Sequence, residues 1–172
     1  MEKKTVIALV VIAILILLGI LIVPRFTGQA IKAVPKAQEI LDDSDIEFKT
    51  QGDWEWTAYY DKYHRTGYRY VEKDGEGVGT WDPWNMPGEY EVYAWWPQGQ
   101  REIDLEVASP EVKYEITHKD GIDEVIVNQK IDGAQWNYLG TYEDIETVKI
   151  YSSEQGTVFA DAIKLVSTYY QI

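Results

Sequence analysis

An antiparallel β-sandwich or barrel, set behind one N-terminal membrane helix, is the fold class that this 172-residue sequence predicts. Three observations carry it. Residues 5–23 run for 19 positions without a charge. Beyond residue 40 no segment sustains a 3.6-residue apolar period, while short alternating runs recur between turn residues. The chain also has no cysteine, so its folded part rests on an ordinary hydrophobic core, which a domain of this length can build without staples.

Taken as a helix at about 1.5 Å per residue, the 5–23 run spans about 28 Å, close to the hydrocarbon thickness of a bilayer. Lys3 and Lys4 precede it, and Pro24, Arg25 and Phe26 close it. That arrangement predicts a single-pass anchor in the cell membrane with the C-terminal domain extracytoplasmic. A cleavable signal peptide, cut near Gly28-Gln29-Ala30, is the competing reading. The length favours the anchor, because cleavable apolar cores run to about 7–15 residues. Residues 1–28 are the expected anchor, 29–41 a stalk broken by Pro35, and 42–172 the β domain.

In that domain Gly52, Gly67, Asp74-Gly75, Pro83, Pro87-Gly88, Gly99, Asp120-Gly121, Asp132-Gly133, Gly140 and Gly156 punctuate the chain. Between them, strands are expected at 46–50, 68–72, 77–81, 89–96, 113–117, 124–130, 137–142, 147–151 and 159–168. In 89–96 the alternation puts Tyr90, Val92, Ala94 and Trp96 on one face, expected inward, and Tyr93 and Trp95 on the other.

Charge narrows the function. Sixteen Lys and Arg stand against 29 Asp and Glu, a net charge of -13. Glu2, Lys3, Lys4 and Arg25 give residues 1–28 a net +2, so the remainder carries -15. Nucleic acid is excluded as a partner on this balance, because such proteins gain affinity by neutralising phosphates. No G-x-S-x-G elbow, P-loop or H-E-x-x-H is present, so a chain without catalytic activity and without a cofactor is expected.

The candidate binding residues are aromatic. Residues 53–70 hold seven, including Trp54, Trp56, Tyr59, Tyr60 and Tyr63. A sugar ring presents a face of C–H bonds that a flat Trp or Tyr covers at low entropic cost. Trp54 and Trp56, two apart, are expected on one side of a strand, either as a platform or packed into the core. Tyr59, Tyr60 and Tyr63 are expected in an exposed loop, and Tyr93 with Trp95 forms a second candidate platform. Arg69 and Arg101 either reach a ligand in fork geometry or pair internally with an acid such as Asp161. Trp136 reads as structural, and Trp81 and Trp84 as the staple of a turn around Pro83. Asp42, Asp43 and Asp45 offer a dense oxygen cluster, for which calcium and a solvated turn are the alternatives, the turn being the default.

Taken together, Gly52-Asp53-Trp54, Tyr68-Arg69-Tyr70, Thr80-Trp81-Asp82-Pro83, Pro87-Gly88-Glu89-Tyr90-Glu91-Val92-Tyr93-Ala94-Trp95-Trp96, Gln135-Trp136-Asn137-Tyr138-Leu139-Gly140-Thr141-Tyr142 and Ala160-Asp161-Ala162-Ile163 resemble, in order and spacing, the golvesin C-terminal-like domain, also described as the xanthan lyase carbohydrate-binding-module-like domain. The resemblance covers roughly residues 42–166. It implies a galactose-binding-like jelly-roll sandwich that acts as an accessory binding module with no catalytic machinery of its own. Gln100-Arg101 and the acidic stretch 102–110 depart from the family pattern. The expected function is a membrane-anchored module that binds a glycan or another cell-envelope component. The alternative is a structural or accessory subunit, whose helix and sandwich pack against a protein partner or further copies of itself.

Overall fold

Alternation decides which side of each strand is buried, and the burial decides the layers. In the computed structural model the residues described are 37–59, 62–84, 86–98 and 107–169; the expected membrane helix, Tyr60 and Arg101 lie outside them. Within these residues run β1 (Gln38–Asp42), β2 (Phe48–Gly52), β3 (Glu55–Thr57), β4 (Tyr68–Val71), β5 (Gly77–Trp81), β6 (Met86–Trp95), β7 (Val112–His118), β8 (Gly121–Val127), β9 (Asn137–Ile145), β10 (Thr147–Tyr151), β11 (Val158–Ala160) and β12 (Ala162–Ser167). They form a four-stranded sheet in the order β1-β12-β6-β9, a five-stranded sheet β2-β5-β10-β7-β8 and a three-stranded sheet β11-β4-β3. Every strand pairing is antiparallel, and the result is an all-β sandwich.

The inner faces meet in one core that takes residues from all three sheets. From the four-stranded sheet come Leu41, Val92, Ala94, Ile163 and Leu165; Ile163 lies opposite Ala94 and Leu165 opposite Val92. A one-residue slip of β12 would turn Ile163 and Leu165 to solvent, at a cost of about 3–6 kcal/mol, so the register is strongly set. The five-stranded sheet contributes Trp81, Tyr114, Ile116, Val148 and Ile150, with the Trp81 ring stacked on Tyr114 at 6.5 Å and against Phe48 at 4.6 Å. On β7 and β10 its outer face is polar. There Lys149 Nζ donates to Glu115 at 2.9 Å, Tyr151 donates to the same carboxylate, and Lys113 pairs with Glu124.

Several expectations need correction. Residues 38–41, expected in the stalk, belong to β1, because pairing with β12 buries Leu41. The run 159–168 is two strands in different sheets, broken at Asp161, whose carbonyl accepts from Asp43 N at 2.6 Å. Trp81 is a core residue and Trp84 is exposed, so the two do not staple a turn. Over 89–96 the expected phase holds for Val92 and Ala94 in β6 and for Trp96 just beyond it, all buried, while Tyr90 is half-buried. Opposite β9 the register shifts between Val92 and Tyr93, so that Tyr93 pairs with Tyr138.

Candidate functional site: an aromatic cleft and its neighbours

The three-stranded sheet builds a concave surface. Thr57 lies opposite Tyr68 and Glu55 opposite Tyr70, and Tyr70 lies opposite Phe159, so all five side chains share a face. Thr157 and Val107 close the far wall, held by backbone bonds between Thr157 N and Val107 O at 2.7 Å and between Ser109 N and Thr157 O at 2.8 Å. The cleft has a volume of about 410 Å³ and is lined by Thr57, Tyr59, Tyr68, Tyr70, Glu72, Val107, Thr157 and Phe159. Tyr68 and Phe159 form a buried floor, ring against ring at 5.7 Å, while Tyr59 is 70% exposed. Tyr70 and Glu72 are shared with an adjoining depression that adds Asp53, Glu55 and Asp74.

Tyr70 donates its phenol to Glu55 at 2.6 Å, and this bond to a carboxylate raises the phenol above its ordinary pKa. Among the described residues the lining therefore combines aromatic rings, hydroxyls and carboxylates with no Lys or Arg, the chemistry that suits sugar C–H faces and sugar hydroxyls. A depression of about 730 Å³ beside residues 73–78 and 151–154 is larger but has one aromatic, Tyr151, among turn and acidic residues. Chemistry rather than size selects the cleft. Its floor is held from behind by Gln129, whose buried amide both donates to Phe159 O and accepts from Phe159 N at 2.8 Å.

A second aromatic surface lies on the outer face of the four-stranded sheet. Tyr93 meets Tyr138 edge-on at 5.5 Å, and Trp95 meets Trp136 at 5.3 Å. Between them Lys164 places Nζ 4.5 Å from the Tyr93 ring and 4.7 Å from the Trp136 ring, and desolvation lowers its pKa. Three of the polar tips have partners: Tyr93 donates to Glu91, Tyr138 shares a hydrogen bond with Thr141, and Trp95 Nε1 donates to Lys62 O at 3.0 Å. Trp136 is placed by the turn before it, where Asp132 and Ala134 adopt left-handed φ of 56° and 60° and Asn137 donates to the carbonyls of Asp132 and Gln135.

Beneath Trp95 and Trp136 lies a buried acidic cluster. His64 sits 5.5 Å from Trp136, and its Nδ1 is 2.8 Å from Asp42 Oδ2. Its backbone N–H donates to both oxygens of Asp161 at 3.0–3.1 Å. Arg65 donates to Asp45 at 2.7 and 2.9 Å. These bonds hold a loop in which Lys62 and Arg65 take left-handed φ of 62° and 54°. Asp42, Asp43 and Asp161 are buried within 4.8 Å of one another. Burial, with neighbouring carboxylates, pushes Asp43 up to about 7 and Asp161 up to about 9.

The residues expected as a site divide sharply. Trp54 and Trp56 do not act as a pair. Trp54 packs against the core over Gly77, where a Cβ would meet its Nε1 at 2.5 Å, whereas Trp56 lies over Gly67 and is 53% exposed. Tyr59 is exposed at the cleft, but Tyr63 is half-buried against Tyr68 at 6.3 Å, because its neighbour His64 is tied to the acids below. Arg69 pairs with Asp43, at 3.7 Å, while the Asp161 oxygens accept from the His64 backbone N–H. Asp42 and Asp43 do not form a solvated turn; they are fully buried. Tyr70, Glu72, Thr157 and Val107 were absent from the expected set. The aromatic density of 53–70 signals Tyr70, but nothing local places Thr157 or Val107 beside it.

Residues 39–167 match the Golvesin C-terminal domain family. A xanthan lyase of Bacillus sp. (strain GL1) is 31% identical over 143 residues, 74% of this chain and 14% of that protein. The solved xanthan lyase of Paenibacillus aligns with a TM-score of 0.69 at 28% identity, over 78% of this chain and 13% of that one. The family 11 carbohydrate-binding module of a Clostridium thermocellum cellulosomal cellulase is far more distant, with a TM-score of 0.42 and 11% identity over 79% of this chain and 98% of the module. The chain spans about one-seventh of the length of the xanthan lyases. With three quarters of its residues covered by the match, the chain belongs to the Golvesin C-terminal domain family.

Proposed function

We propose that the chain is a membrane-anchored, extracytoplasmic, non-catalytic module that binds neutral carbohydrate in the Tyr59–Tyr70 cleft. The observation that carries the reading is the lining itself: an aromatic floor and edge, threonine hydroxyls on two walls and carboxylates at the mouth, with no Lys or Arg among the described residues that line it. Carboxylates accept hydrogen bonds from sugar hydroxyls, and the same carboxylates repel uronates and other anionic sugars. Family membership supports a binding role, and the uncharged 5–23 run supports the anchor.

The test is affinity electrophoresis of the full chain in mild detergent through gels carrying β-1,3-glucan, galactomannan, xanthan or polygalacturonate. Retardation by at least one neutral glycan, no retardation by polygalacturonate, and loss of retardation in Tyr70→Ala are expected. A folded parent chain that no glycan in a broad panel retards would overturn the reading. Alkaline carbonate washing of membranes checks the anchor, which predicts that the chain stays in the pellet.

One observation favours the assembly alternative. Among the described residues β8 pairs on one side only, with β7, and turns Ile122 and Ile126 to solvent. An unpaired edge with an apolar row is where another strand can add. Analytical ultracentrifugation decides it: Ile122→Lys with Ile126→Lys lowers the mass if copies join there.

A further inference from the structure

We propose that Asp42, Asp43 and Asp161 hold a divalent cation of the calcium class. The first ground is the trio's geometry. One carboxylate oxygen from each residue lies within 4.8 Å of the other two, a spacing close to that of oxygens sharing one calcium ion at about 2.4 Å. The second, independent ground is Asp43. It is 1% exposed, and neither of its carboxylate oxygens has a hydrogen-bond partner among the described residues. An ionic group buried in that way is costly unless a cation compensates it.

The positive charge beside the trio is short of what three carboxylates need. Arg69 Nε lies 3.7 Å from Asp43 Oδ2, too far for a hydrogen bond, and is itself buried without one. His64 spends Nδ1 on Asp42 and its backbone N–H on Asp161, so it orients two of the ligands from outside. Ser44 does the same for Asp42 through N–H and Oγ. Arg65 is engaged by Asp45.

The donor set selects the ion. Three carboxylates and no thiolate form a hard oxygen site, which suits calcium over zinc or copper. Side chains exposed by 0–1% suit an ion that gives up its waters readily, whereas magnesium keeps several. The ion ties the end of β1 to the β11–β12 junction and, through His64, to the loop that leads into β4. It therefore acts on stability and on the placement of Tyr68 and Tyr70 rather than on glycan contact.

The experiment measures the metal content of the purified full chain in detergent by plasma mass spectrometry, and its melting temperature in chelator and after calcium addition. The expected result is about one calcium per chain and a rise of about 5–10 °C at calcium a hundredfold above its dissociation constant. Asp43→Asn removes a ligand together with its buried charge. It is expected to melt higher than the parent in chelator and to show no calcium-dependent rise, while Glu124→Gln, on the far sheet, keeps the full rise. A parent chain that binds no calcium at millimolar concentration, or an Asp43→Asn chain that keeps the parent's rise, would overturn the site. The glycan panel is read separately, so failure of the calcium site leaves the glycan reading to its own test.

Discussion

Tyr93 and Tyr70 look alike in isolation and differ in what surrounds them. Each stands on an antiparallel strand and donates its phenol to a glutamate, Glu91 at 3.0 Å for Tyr93 and Glu55 at 2.6 Å for Tyr70. Around Tyr93 the space is filled: Lys164 caps its ring, Tyr138 abuts it, and Trp136 lies on the other side of the same amine. Around Tyr70 the space opens into a cleft on one side and an acidic depression on the other. An outward aromatic is therefore not by itself a binding residue. What counts is a ring face left for a ligand beside polar groups able to orient it.

The comparison makes graded predictions. Trp95→Ala is expected to cost the most stability, about 3 kcal/mol, because it removes the Trp136 contact and the bond to Lys62 O. Denaturant unfolding measures it, and the folded fraction is expected to keep its glycan affinity; a parallel loss of affinity would move the site to the outer face. Gln129→Leu removes two buried hydrogen bonds to the backbone of Phe159 and is expected to cost about 2 kcal/mol. Since Phe159 floors the cleft, this variant is also expected to weaken binding, and unchanged affinity would show that the floor does not matter. Tyr70→Ala is expected to lower affinity about tenfold, a change of about 1.4 kcal/mol, with little effect on melting. Tyr138→Ala, at a 58% exposed position, is expected to change stability by about 0.5 kcal/mol and affinity not at all.

Much of the fold is legible in the sequence because alternation is local. The strands at 77–81 and 147–151 fall at their expected bounds, and the inward phase over 89–96 follows from the spacing of Val92, Ala94 and Trp96. Where long-range pairing decides, local reading fails. Gln38–Asp42 lacks a pattern of its own and becomes a strand through β12. The break at Asp161 follows from His64 and Asp43, both distant in the chain. For the candidate site, the aromatic-rich stretch 53–70 supplies Tyr59, Tyr68 and Tyr70 to the cleft lining. The division between Trp54 and Trp56 depends on two glycines that approach them from other strands or loops, which no spacing reveals.

The most direct measurement is isothermal titration of the neutral glycan that retards the chain into the full chain, Tyr70→Ala and Tyr138→Ala, each first shown to melt cooperatively. The account predicts an affinity about tenfold weaker for Tyr70→Ala and unchanged for Tyr138→Ala. The reverse pattern, with Tyr138→Ala weakened and Tyr70→Ala intact, would contradict it and place the ligand on the four-stranded sheet.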